Sequence, residues 1–240
     1  MASLRVDTLF LDAGGVLVFP NWLRISETLA RHGVQVDASR LAAAEPHAKR
    51  RMDVGATIQA TDDEQRGWVY FNLILTDAGV ALTRATDAAL AELRSYHTKT
   101  NLWDLVPEDV PAVLDRLRRS GLQLVVVSNA NGTLKQMFGR LGLAPRVDLL
   151  IDSHDEGVEK PDPRLFELAL ERAGARRETT LHVGDLYHVD VVGAQAAGLR
   201  AVLLDAAGLY EAFECPRVRT LGELADQLAG SRHGSPQQAS

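Results

Sequence analysis

Leu9-Phe10-Leu11-Asp12-Ala13-Gly14-Gly15-Val16 is a short apolar run that ends in a carboxylate and then turns through paired glycines. Three large apolar residues bounded by polar ones read as a buried parallel strand. In an open parallel sheet, ligands sit beyond the carboxyl ends of the strands, and glycines there let backbone approach a ligand closely. Asp12 therefore marks an edge to inspect, although a lone aspartate after a strand is more commonly a turn former or a helix cap.

Working outward, similar runs recur at Leu122 to Val127, Leu149-Leu150-Ile151, Thr180 to Val183 and Ala201 to Leu204. Helical patterns lie between them. Val110, Val113, Leu114 and Leu117 share one face and stop at Gly121, while Asp162 and Pro163 read as an N-cap and first helical residue ahead of Leu165 to Leu170. Strand and helix in alternation predict an α/β fold, a doubly wound parallel sheet. From residue 21 to residue 100 the strands vanish and only helical periodicity remains. Trp22, Ile25 and Leu29 lie on one face, and Trp68, Phe71, Ile74 and Leu75 on another, each read as core of a small helical insertion. The expected organisation is a core of residues 1–20 and 101–230, an inserted helical unit of residues 21–100, and an unstructured tail over residues 231–240, which has little apolar surface to bury.

Composition narrows the function classes. The 240 residues carry 32 acids against 26 bases, a net charge of -6, so nothing in the balance points to nucleic acid or an anionic membrane. The single cysteine, Cys215, can neither form an internal disulfide nor supply a cysteine metal cluster. With no signal-like start and no long apolar run, a cytoplasmic protein is expected.

The strand ends supply a notable set of side chains. After the first comes Asp12; after the second, Ser128-Asn129; the loop after the third carries Lys160-Pro161; and the fourth ends in Gly184-Asp185, with Asp190 five residues on. Each alone is weak, since Lys160 by itself reads as a surface lysine and Asp190 as a helix cap. Together they bring three carboxylates to one edge, where each like-charge pair at ~4 Å costs about 4 kcal/mol at an effective dielectric near 20. Positive charge must sit among them, Lys160 for one and a hard oxygen-seeking cation such as Mg²⁺ for the rest.

This order of motifs resembles the haloacid dehalogenase superfamily, and the helical stretch between the first and second motifs looks like that family's helical cap. The resemblance implies a hydrolase, most simply a phosphatase for a small phosphorylated metabolite. Asp12 matches the nucleophile that forms an aspartyl-phosphate. Ser128 matches the phosphoryl-binding hydroxyl, with Asn129 beside it and backbone N–H groups of the following helix assisting. Lys160 matches the charge-neutralising lysine, and Asp12, the Gly14 carbonyl, Asp185 and Asp190 match the Mg²⁺ site. Electrostatic clamping of this sort carries most of the catalysis of phosphoryl transfer.

Position 14 departs from the pattern. The phosphatase branches usually carry a second aspartate there as acid and base, help typically worth about 10²- to 10⁴-fold. Tyr187, His188, His47, Arg50, Arg51 and Asp53 are candidate substitutes. The same glycine leaves open a 2-haloacid dehalogenase, whose leaving group needs no proton, and a protein that binds a phosphorylated metabolite without turning it over. Lysine-dependent phosphonate cleavage is set aside because Lys49, in a run with Arg50 and Arg51, reads as solvated.

Overall fold

The structure is a computed structural model that describes residues 5–233. After β1 (Thr8–Leu11) come five helices, α1 (Trp22–Arg31), α2 (Ala38–Met52), α3 (Gly55–Ala60), α4 (Asp63–Asp77) and α5 (Arg84–Thr100). Alternation then resumes with α6 (Val110–Arg119), β2 (Gln123–Ser128), α7 (Leu134–Arg140), β3 (Leu149–Asp152), α8 (Ser153–Glu156), α9 (Pro163–Ala173) and β4 (Thr180–Gly184). The described residues end with α10 (Val192–Ala196), β5 (Arg200–Leu204), β6 (Arg217–Val218) and α11 (Leu221–His233). The strand pairs of the six-stranded sheet are parallel, in the order β3-β2-β1-β4-β5-β6.

The period of two along a strand builds both faces of this sheet. Leu9 and Leu11 of β1, with Leu124 and Val126 of β2, enter a cluster completed by Val113, Leu114 and Leu117 of α6 and by Met137 and Phe138 of α7. Phe10, Val125 and Val127 point the other way, onto Leu165, Phe166 and Ala169 of α9 and Ala194 of α10. Helices thus cover both faces, as the doubly wound reading requires. Helix α9 starts as expected, with the Asp162 side chain accepting from Arg164 N behind Pro163. The two-residue strand β6 carries too few residues for a periodic signal and was not anticipated.

A third apolar cluster forms within the helices between β1 and β2: Trp22, Ile25 and Leu29 of α1, Leu41 and Ala48 of α2, Ile74 and Leu75 of α4, Leu90 and Leu93 of α5. Trp68 and Phe71 are only partly buried against it and also face a cavity. No helix among the described residues is long and apolar enough to cross a membrane. The last helix reaches His233, and the rest of the tail expected to be unstructured lies outside the described residues. Strands β2 and β4 leave β1 on opposite sides, so the carboxyl ends of these three bound a crevice at the switch in strand order.

Candidate active site

The β1 ladder delivers Asp12 to that crevice: its backbone N–H donates to the Val183 carbonyl at 2.9 Å, and its Oδ1 accepts from Ala13 N at 2.7 Å. The chain then folds back, with Leu17 and Val18 N–H both bonded to the Ala13 carbonyl. Gly15 has φ +73°, and a Cβ there would fall inside the Asp185 carboxylate. Only glycine has both that conformation and that closeness, which brings the turn after β1 flush against the end of β4.

Lys160 is fully buried and aims at the same point, its Nζ 3.1 Å from Asp12 Oδ1 and 2.7 Å from Asp190 Oδ1. Asn129 fixes the lysine backbone from both sides: its Oδ1 accepts from Lys160 N at 2.7 Å and its Nδ2 donates to the Lys160 carbonyl at 2.9 Å. Ser128, also buried, makes among the described residues only a long contact of 3.4 Å from Oγ to the Asn129 carbonyl, so its hydroxyl stays available to a ligand. The following helix lends less than expected. It begins only at Leu134, whose N–H is already taken by Asp152 Oδ2 at 3.2 Å.

Asp190 is not the N-cap of a regular helix; it lies inside a wide turn over Tyr187–Val191 that precedes α10. Both its oxygens are engaged. Oδ1 meets Lys160 Nζ and, at 3.0 Å, His182 Nε2; Oδ2 accepts from Asp185 N at 3.2 Å and Leu186 N at 3.0 Å. His182, in the middle of β4 and fully buried, stacks edge-on against Phe166 at 5.0 Å. In the sequence it shows only as one polar residue of the strand Thr180 to Val183.

Asp12, Asp185 and Asp190 can each place an oxygen within 4.8 Å of the other two. Burial pushes the Asp12 carboxyl up to about 7, against the pull of Lys160 and with Asp190 and Asp185 adding to the rise. Burial likewise lifts Asp185 to about 6, opposed by Lys49. Asp190 is held below the usual carboxylate range: burial works the other way, but Lys160 and His182 outweigh it. Three buried carboxylates, with Gly14 in the adjoining turn, form a hard-oxygen donor set of the kind that suits a divalent cation.

Lys49 corrects the expectation of a solvated side chain. From α2 its Nζ reaches Asp185 Oδ2 at 2.8 Å and Glu45 Oε1 at 3.2 Å, and Tyr70 Oη donates to the same Glu45 oxygen at 3.1 Å. Burial lowers the affinity of Lys49 for its proton, but Asp185 and Glu45 more than offset this and hold the ammonium charged. A lysine that forms an imine must be neutral when it attacks.

None of the side chains considered as substitutes for the missing aspartate lines the cavity at Asp12. Asp53, fully buried, accepts from Tyr187 N at 2.5 Å and from both His188 N and Nδ1 at 3.0 Å. Arg50 lies over the Phe213 ring at 4.7 Å, Arg51 pairs with Asp77, and His47 borders a separate shallow hollow. What stands beside position 14 is Trp103: a Cβ on Gly14 would touch the indole Cδ1 and Nε1 at 3.5 Å. The cavity bounded by Asp12, Gly14, Trp103 and Lys160 and by α2, α4 and α5 measures about 830 Å³.

Known proteins share both sequence and fold with this chain. Residues 6–198 match the model of the haloacid dehalogenase-like hydrolase family. A phosphoserine phosphatase of Thermus thermophilus is 38% identical over 136 residues, 56% of this chain and 53% of that protein. A ribulose-1,5-bisphosphate 5-phosphatase of Halopiger xanaduensis is 34% identical over 137 residues, 52% of this chain and 57% of that protein. The matches thus span about half the length of these relatives. Among solved structures, a HAD phosphatase from Thermococcus onnurineus superposes with a TM-score of 0.60 at 23% identity, covering 94% of this chain and 99% of that one, a likeness of fold.

Proposed function

The chain belongs to the haloacid dehalogenase-like hydrolases, and from that premise we propose that it is a Mg²⁺-dependent phosphatase for a small phosphorylated metabolite, working through an aspartyl-phosphate on Asp12. The observation that carries this reading is the buried Lys160 ammonium held between Asp12 and Asp190. It keeps Oδ1 of the nucleophile paired at the lining of the cavity, and it stands ready to neutralise phosphoryl charge.

Asp12 attacks phosphorus as the P–O bond to the alcohol breaks, the departing alkoxide takes a proton from water, and a second water then attacks the acyl phosphate to release inorganic phosphate and free the Asp12 carboxylate. Ser128 Oγ donates to a phosphoryl oxygen. Asn129 acts through its grip on the Lys160 backbone. Asp12, Asp185 and the Gly14 carbonyl would hold Mg²⁺, with Asp190 behind them supplying charge and fixing Lys160. When bound, the ion polarises the phosphoryl group and offsets its charge. Helices α1–α5, residues 21–100, serve as a cap over the core of residues 1–20 and 101–230. Its lone cysteine and acidic balance suit a cytoplasmic enzyme without a nucleic-acid or membrane partner.

The test is phosphate release from an activated aryl phosphate with Mg²⁺ and with chelator, together with acid trapping of the phosphoenzyme. Loss of turnover in chelator and in Asp12→Asn is expected; an Asp12→Asn protein with wild-type rates would end the assignment. Gly14 favours one second reading, release of halide from a 2-haloacid, and chelator-insensitive halide production would establish that instead.

A further inference from the structure

The cavity beside Asp12 is far larger than a phosphoryl group needs, and its lining carries a consistent charge pattern. At about 830 Å³ it has the size of sites that enclose a whole small molecule. Its cationic side chains are all engaged: Lys160 with Asp12 and Asp190, Lys49 with Asp185 and Glu45, Arg66 with Glu159 at 2.8 Å, and Arg94 with Glu64. Asp62 and Asp63 add further negative charge to the lining. No lysine or arginine of the lining is left unpaired to receive a second anionic group on a substrate.

What the wall offers instead is aromatic surface. Trp103 stacks on Tyr70 at 6.1 Å with the rings tilted by 26°, and lies edge-on to Phe71 at 5.8 Å and His97 at 5.4 Å. It sits against Gly14, beside the nucleophile, and its indole N–H has no hydrogen-bond partner among the described residues. On the same wall the Trp68 ring already carries a cation, the Arg94 guanidinium, at 4.4 Å. Aromatic faces attract flat apolar groups and cations, whereas a buried anion without a partner is costly.

Resting on the phosphatase reading above, we propose that the preferred substrate is a phosphate monoester whose alcohol is neutral or cationic and presents a flat, apolar face to Trp103, and that monoesters bearing a second anionic group are rejected. Trp103 is then the specificity-determining residue, and its free N–H donates to a polar atom of that alcohol.

The experiment compares kcat/KM, with Mg²⁺, for benzyl, para-(aminomethyl)benzyl, para-carboxybenzyl and propyl phosphates, whose leaving groups are all primary alcohols. Benzyl and aminomethyl esters should exceed the carboxylate by about tenfold or more, and benzyl should exceed propyl by about tenfold, a ratio that Trp103→Ala brings towards one. Trp103→Leu serves if the alanine variant does not fold. A carboxybenzyl ester turned over as well as benzyl, or a benzyl preference unchanged without Trp103, overturns the proposal. Calorimetric binding of the same esters to Asp12→Asn separates the two readings. Turnover of neither these esters nor para-nitrophenyl phosphate by the wild type would sink the phosphatase assignment, while the binding order would still decide whether the cavity prefers neutral and cationic alcohols.

Discussion

Lys49 and Asp185, 136 positions apart in the chain, meet at 2.8 Å between Nζ and Oδ2, joining a helix of the insertion to the end of the fourth strand. The same carboxylate is a proposed Mg²⁺ ligand, so ammonium and ion compete for it. Two positive charges at ~4 Å repel by about 4 kcal/mol at an effective dielectric near 20, and movement of the flexible lysine relieves most of this. Lys49→Met should therefore lower the Mg²⁺ concentration for half-maximal turnover by about tenfold, read from a metal titration of activity. A rise in the Mg²⁺ requirement would mean that Lys49 organises Asp185 for the ion instead of contesting it.

His182 is expected to hold Asp190, and through it Lys160, in place. Its Nε2 lies 3.0 Å from Asp190 Oδ1 with both side chains fully buried. Truncation to alanine removes a buried hydrogen bond to a charged group and opens a cavity against Phe166, together about 3 kcal/mol of stability measured by urea unfolding. His182→Leu refills the space without restoring the bond. It should recover part of the stability yet remain about tenfold low in kcat/KM. If leucine restores turnover as well, the histidine fills volume and nothing more.

Much of this arrangement could be read from sequence because strand position is itself a coordinate. Asp12, Ser128 and Asp185 follow apolar runs, and the parallel pairing of β1 with β2 and β4 brings their ends together. Lys49 was misread because a run of three basic residues on a helix looks like a solvated face. In the folded chain Lys49 turns inward beside Glu45, one helical turn earlier, while Arg51 goes out to Asp77. His182 was hidden by its neighbours, since a polar residue between apolar ones on a strand signals nothing until its buried partner is known. Trp103 follows α5 outside any periodic element, and only the tertiary fold shows that it lies beside Gly14.

Gly15 tests how closely the turn after β1 must approach Asp185. A methyl group there would collide with the carboxylate, and φ +73° is strained for any residue with a Cβ. Gly15→Ala should cost about 1 to 2 kcal/mol of stability through the backbone alone, and displacement of Asp185 should raise the Mg²⁺ requirement as well. Unfolding and metal titration read the two effects separately. A variant with wild-type metal dependence would show that the observed closeness is not needed to bind the ion.

Gly14 is the opposite case, a position where a side chain fits. A Cβ there meets Trp103 only at 3.5 Å, an ordinary contact, and the backbone is not in the left-handed region. Gly14→Asp would place a carboxyl two residues after the nucleophile, facing the same cavity. In its protonated form it can give its proton to the departing alcohol oxygen, and as a carboxylate it can then take one from the attacking water. That help matters most where the leaving alcohol is a strong base. The variant should hydrolyse propyl phosphate about 10²-fold faster than the wild type while changing little on para-nitrophenyl phosphate, whose phenolate leaves without a proton. Steady-state rates on the two esters measure the difference. An equal response on both would show that proton transfer to the leaving group does not limit the wild-type enzyme, and that another group in the cavity already supplies it.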